Sequence, residues 1–169
     1  MIRRRTAIIG VGAAMAGCLG DGDQDADDDD GIDRTGPRVN GRELDSAFPL
    51  VLEEDGEKVA DVHYHPGGNA HWHRQPLDLV VDQPRSLVAT VYDATVDPIP
   101  LGDQYHLAFD PPSEPDAQRL SVEVDGQNVT ITATEVGEAH LRLRLHGPVE
   151  DPWVTPEMRT EAIQAEHDP

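Results

Sequence analysis

The sequence predicts an all-β fold: an antiparallel β-sandwich preceded by a histidine-rich β-hairpin and a disordered acidic tether. Three observations carry this expectation. From about Phe48 onward, apolar residues alternate with polar ones at period two, as in strands buried on one face. The runs are short and divided by Pro, Gly and Asp turns, and 14 Pro with 15 Gly disfavour a helical bundle. Only 37% of residues are hydrophobic and 4% aromatic, so the core is small and built mainly from Val, Leu and Ile. A chain of 169 residues suffices for one such core and not for two.

In chain order, Arg3-Arg4-Arg5 and the apolar run from Thr6 to Gly17 precede the single cysteine, Cys18. The run falls short of the roughly 20 apolar residues a membrane span needs, so residues 1–17 are expected to be a signal peptide. Met15-Ala16-Gly17-Cys18 resembles the lipobox of exported lipoproteins, and the adjoining arginines resemble a twin-arginine export signal. This resemblance implies export in the folded state, lipid on Cys18, and anchoring to the outer face of the cell membrane. Residues 18–46 are expected to form the tether. Asp21 to Asp33 holds eight aspartates and one large apolar residue, Ile32, too little apolar surface to fold. A Ca²⁺-binding loop would need a terminal Glu at fixed spacing, which is lacking.

Residues 47–155 are assigned to the sandwich, with the hairpin at 60–74. After the hairpin, Leu77, Leu79 and Val81 alternate with Asp78, Val80 and Asp82, and Leu87, Ala89 and Val91 follow Pro84. Tyr105, Leu107 and Phe109 form the next inward set, then Leu120, Val122 and Val124. Asp125-Gly126-Gln127-Asn128 makes a hairpin turn into Val129, Ile131 and Ala133. Val136-Gly137-Glu138 turns the chain into Leu141, Leu143 and Leu145. Residues 156–169 are expected to be a tail, with weak helical periodicity near Thr155–Glu166.

From Leu77 to Leu145 the order of features resembles bacterial Ig-like domains. The stretches that carry it are Leu79-Val80-Val81-Asp82, Ser86-Leu87-Val88-Ala89-Thr90-Val91-Tyr92-Asp93, Ile99-Pro100-Leu101 and Asn128-Val129-Thr130-Ile131, followed by Gly137-Glu138-Ala139. The resemblance covers a little under half the chain and implies an Ig-like sandwich, a fold that by itself specifies no function.

The chemistry concentrates in the hairpin. Four of the eight histidines lie in His63-Tyr64-His65-Pro66-Gly67-Gly68-Asn69-Ala70-His71-Trp72-His73. Residues i and i+2 of a strand share a face, so His63, His65 and Asp61 project together, as do His71 and His73. Pro66 to Ala70 suits a chain reversal. Pairing His65 with His71, Tyr64 with Trp72 and His63 with His73 puts four imidazoles on one face and both aromatics on the other. Directly opposed Cβ atoms lie about 4.5–5.5 Å apart, close enough for imidazoles to converge on an ion at about 2.0–2.1 Å. Neutral imidazole suits Zn²⁺ or Cu²⁺, and no further thiol is present to favour Cu⁺. His63, His65, His71 and His73 are the expected ligands, with His146 or Asp61 as additions. Three His plus water would leave an open site; four His, or three His with Asp61, would close it. His140, His146 and His106 fall on outward strand positions, from which any could supply a fifth ligand or a supporting contact; His106 and His167 read as surface residues. The competing interpretation is that histidines serve as mild polar surface residues in a chain with one lysine.

Composition narrows the function further. Against 33 acidic residues stand 13 basic ones, a formal net charge of −20, which excludes nucleic-acid binding through a basic face. Lys58 is the only lysine. Acid-rich, lysine-poor surfaces resemble those of salt-loving microbes, where salt screens the self-repulsion. No Gly-rich phosphate loop and no Gly-x-Ser-x-Gly nucleophile is present, and no carboxylate pair stands out, so an enzyme is not expected. Asn128-Val129-Thr130 is a candidate N-glycosylation acceptor. Taken in order, these features resemble a His-rich lipoprotein of halophilic archaea. The expected role is a membrane-anchored surface module that captures or buffers Zn²⁺ or Cu²⁺, with a metal transporter as a further partner. The alternative is a structural or adhesive Ig-like surface module without metal; a third reading is a metal hydrolase on an open three-His site, for which no general base is identifiable.

Overall fold

A computed structural model describes residues 36–65 and 67–165. In chain order the elements are β1 (Arg38–Val39), β2 (Arg42–Glu43), β3 (Leu50–Glu54), β4 (Glu57–Tyr64), β5 (Ala70–His73), β6 (Leu77–Val80), β7 (Arg85–Val91) and β8 (His106–Phe109). A six-residue helix, α1 (Glu114–Arg119), precedes β9 (Leu120–Asp125), β10 (Asn128–Ala133), β11 (Gly137–Leu141), β12 (Leu143–His146), β13 (Trp153–Val154) and β14 (Met158–Ile163). The fold is all-β and sandwich-like, as the alternation predicts.

One sheet has six strands in the order β5-β4-β3-β7-β10-β9, all antiparallel. Facing elements come from two three-stranded sheets, β11-β14-β6 and β13-β12-β8, joined because β11 and β12 are one run interrupted only at Arg142. Leu50, Leu52, Val62, Trp72 and Ile131 of the first sheet share one buried cluster with Leu79, Leu141, Leu143, Leu145 and Met158 of the others. The expected inward sets therefore do point inward, because burying alternate side chains is what a two-layer β-protein offers a period-two sequence. The Asp125–Asn128 turn is also as expected: Asn128 pairs with Asp125, and Gly126 takes φ +58, a conformation glycine adopts without steric cost.

Two expectations need correction. The tether does not extend to residue 46. Asn40 and Gly41 both take positive φ (50° and 75°) in a two-residue hairpin turn between β1 and β2, and Val39 and Leu44 are fully buried. Likewise, 156–169 is not simply a tail. Met158, Thr160 and Ala162 are buried and Arg159, Glu161 and Ile163 exposed along β14, which pairs antiparallel with β11 and parallel with β6. Two flanking strands supply hydrogen-bond partners that override the helix-favouring composition of Met, Glu and Ala. Among the named strands the β14–β6 pair is parallel within an otherwise antiparallel sandwich. The signal peptide, Cys18 and the aspartate run lie outside the described residues, as does His167. Among the described residues no helix is long and apolar enough to cross a membrane.

Candidate metal centre

The hairpin β4–β5 forms one margin of the six-stranded sheet, with β5 as the edge. Val62 and Trp72 point into the core at 0% and 1% exposure, so their neighbours His63, His71 and His73 must occupy the outer face. Trp72 locks this orientation, because its indole Nε1–H donates to the Pro156 carbonyl at 2.7 Å.

The register differs from the expected one by two residues. His63 pairs with His71, Val62 with Trp72, and Asp61 with His73. The cause is the turn. Gly67 and Gly68 take φ +97 and +89, Gly68 N–H donates to His65 O at 3.1 Å, and His65 N–H donates to Asn69 O at 2.7 Å. Reversal is completed sooner than a five-residue loop would allow, and Asn69 rather than His71 faces His65. A shift of two preserves the face of every side chain, so the four imidazoles remain together. Tyr64 and Trp72 stay off that face but are not directly opposed.

One ligand nitrogen from each of His63, His65 and His71 lies within 4.8 Å of the others, so these three can hold a metal ion. His63 is the hub, with ring centroids 4.3 Å from His65, 5.4 Å from His71 and 4.7 Å from His73. His71 stands 5.0 Å from His65 and 4.8 Å from His73. Burial, and then the proximity of His65, His73 and His71, hold the His63 imidazole below its usual pKa, with Asp61 opposing. The neutral form that binds metals is thereby favoured.

Asp61 sits behind the imidazoles rather than among them. It is 3% exposed, accepts from His73 Nδ1 at 3.1 Å and lies 3.7 Å from Lys58 Nζ. Phe48 stacks on His63 with centroids 5.0 Å apart and planes inclined by 17°, and Lys58 Nζ lies 5.2 Å from the Phe48 centroid. Phe48 and Lys58 were not among the expected site residues. The one signal for Lys58 is its being the sole lysine; Phe48 carries none.

His146, expected as an addition to the cluster, stands instead on β12 in a different sheet. It pairs with His106 of β8, their rings stacked 4.8 Å apart at 8°. Burial, His106 and Arg144 lower its pKa, against Asp110. The inward alternation of Leu143 and Leu145 turns His146 to the outer surface of that sheet. His140 lies within 3.5 Å of Asp116 and 3.7 Å of Glu138, apart from the hairpin cluster. Asn128 is exposed at the start of β10, and His106 is exposed as expected.

No family model and no curated protein matches the chain. Among solved structures it is similar to domains 4 and 5 of the S-layer protein SbsC, at 7% identity over 70% of this chain and 77% of that one, with a TM-score of 0.36.

Proposed function

We propose that this chain is a lipid-anchored surface module that captures or buffers a divalent transition metal, Zn²⁺ or Cu²⁺, on the outer face of the β4–β5 hairpin. The observation that carries the proposal is the convergence of His63, His65 and His71 nitrogens within 4.8 Å on the β4–β5 hairpin. Neutral imidazoles are borderline ligands suited to both ions, and anchoring of the ribbon by Trp72 lowers the cost of assembling them. Anchoring through Cys18 rests on the lipobox resemblance and on the aspartate run that would serve as a spacer. Delivery to a membrane metal transporter follows naturally from such a position.

The test is calorimetric titration of protein purified without a His tag, at high salt and neutral pH, with Zn²⁺ and with Cu²⁺. His65→Ala and His71→Ala are each expected to weaken binding strongly. Their combination should cost less than the sum, because both serve one ion. His167→Ala should change nothing. Wild type binding no tighter than the double variant would refute the metal reading and leave the structural or adhesive role.

A further inference from the structure

The carboxylate of Asp61 is not accounted for by three histidine ligands. It is 3% exposed on the outer face of β4, and a buried anion persists only where hydrogen bonds or charges compensate its lost hydration. Its partners are His73 and Lys58. A carboxylate can only accept, so at 3.1 Å the His73 Nδ1 is the donor, and in the neutral ring that places the lone pair on Nε2. Metal-binding histidines are oriented in this way, the second ring nitrogen donating to a carboxylate that fixes tautomer and ring direction.

The ring spacing points the same way. At a metal–nitrogen distance of about 2.0–2.1 Å, imidazole centres sit roughly 3.2 Å from the ion, and tetrahedral corners place them about 5 Å apart. Five ring pairs of the cluster lie between 4.3 and 5.4 Å; His73 stands in this range of His63 and His71 but not of His65, and it lies outside the converging nitrogens of His63, His65 and His71, so an ion would have to draw its ring inward. Phe48, against His63 and 6.2 Å from His73, shields that flank from water.

We propose that His73 is the fourth ligand through Nε2, that Asp61 is its positioning residue, and that Lys58 opposes the ion. This inference rests on reading the imidazole face as a metal centre. Four neutral imidazoles leave the full +2 charge of the ion in place, and Asp61 reduces it to +1. The Lys58 ammonium, 3.7 Å from the same carboxylate, competes with the ion for that compensation. A closed tetrahedral site of four nitrogens is the geometry Zn²⁺ adopts, whereas Cu²⁺ prefers a tetragonal one. The site is thus a holding site for Zn²⁺ rather than one that keeps a position open for substrate.

The roles of Asp61 and Lys58 have opposite signs, and this makes them separable from a structural ion pair. Zn²⁺ affinity and Co²⁺ visible absorption are measured on wild type, Asp61→Asn, Lys58→Met and His73→Ala, with the melting temperature of each metal-free protein as a control. Asp61→Asn should weaken Zn²⁺ about 10–100-fold, while Lys58→Met should tighten it about threefold to tenfold. Wild type should show the intense absorption of four-coordinate Co²⁺, and His73→Ala should shift those bands and weaken Zn²⁺ as a water takes the place of the imidazole. If Asp61→Asn fails to fold, Lys58→Met and His73→Ala still decide. Wild type that binds no metal overturns the function proposed above. Wild type that binds, with a His73→Ala spectrum and affinity unchanged, overturns only the fourth ligand. Equal weakening by Asp61→Asn and Lys58→Met overturns the positioning role, since a structural pair would lose in the same direction from either side.

Discussion

Trp72→Phe tests whether the hairpin is held from behind. Trp72 is 1% exposed, faces Val62 across the strand pair, and donates to the Pro156 carbonyl at 2.7 Å. Phenylalanine keeps a ring in the cavity but removes the donor. Stranding a buried acceptor costs about 1–3 kcal/mol. Because Pro156 is only half-buried and water can reach it, the low end of that range applies. The lost five-membered ring adds a cavity term of about 1–2 kcal/mol, well inside the 3–5 kcal/mol of a full Trp→Ala truncation. The sum is about 2–3 kcal/mol, a large share of the 5–15 kcal/mol that typically separates folded from unfolded states. Urea unfolding at constant high salt, followed by circular dichroism, reads this as a lower midpoint with unchanged slope. Zn²⁺ at 100 times its dissociation constant should return about 2.7 kcal/mol to either protein, since the ion binds only the closed ribbon. A variant within about 0.5 kcal/mol of wild type would refute the argument that Trp72 fixes which face the histidines occupy.

Acid should destabilise the metal-free protein. His63 and His146 are held below the ordinary imidazole value, chiefly by burial, so their contribution is complete above the unfolded pKa of about 6.5 and is lost as pH falls toward the folded value. Melting temperature should drop between about pH 7.5 and pH 5, and His146→Gln should flatten the slope; a profile unaltered by that substitution would contradict it. Salt should act in the opposite sense to its usual screening of ion pairs. With a net charge of −20, lowering salt from 1 M to 0.01 M lengthens the Debye distance from about 3 to about 30 Å and lets carboxylates repel across the domain. Melting temperature should fall on desalting, and independence from salt would remove the halophilic interpretation. Cys18→Ser should leave the protein unprocessed or shift it out of the membrane fraction; fractionation and migration like wild type would remove the lipobox reading.

Much of the strand content was legible because period-two alternation and turn chemistry are local signals. The inward sets from Leu77 to Leu145 and the Gly126 turn required no tertiary information. Asn40-Gly41 is likewise a local hairpin-turn signal, and it brings Val39 and Leu44 into the core. β14 was not legible, since Met158, Thr160 and Ala162 are weak hydrophobes whose burial depends on β11 and β6 standing on either side.

That four histidines share one face of a hairpin follows from the residues alone, because His-x-His on each arm keeps that property under any even shift of register. Which residue stands opposite which depends on the folded hairpin. A tight reversal through Gly67 and Gly68 moved the pairing by two, so that Asp61 rather than His63 is the strand partner of His73, while the His63 and His73 rings stay 4.7 Å apart. Core packing of Trp72 then turned the imidazoles outward over the buried carboxylate, and the separate sheet of β12 carried His146 elsewhere. Alternation within a strand is a property of neighbouring residues, whereas register and the contacts between sheets are settled by turn geometry and by which apolar faces meet in the core.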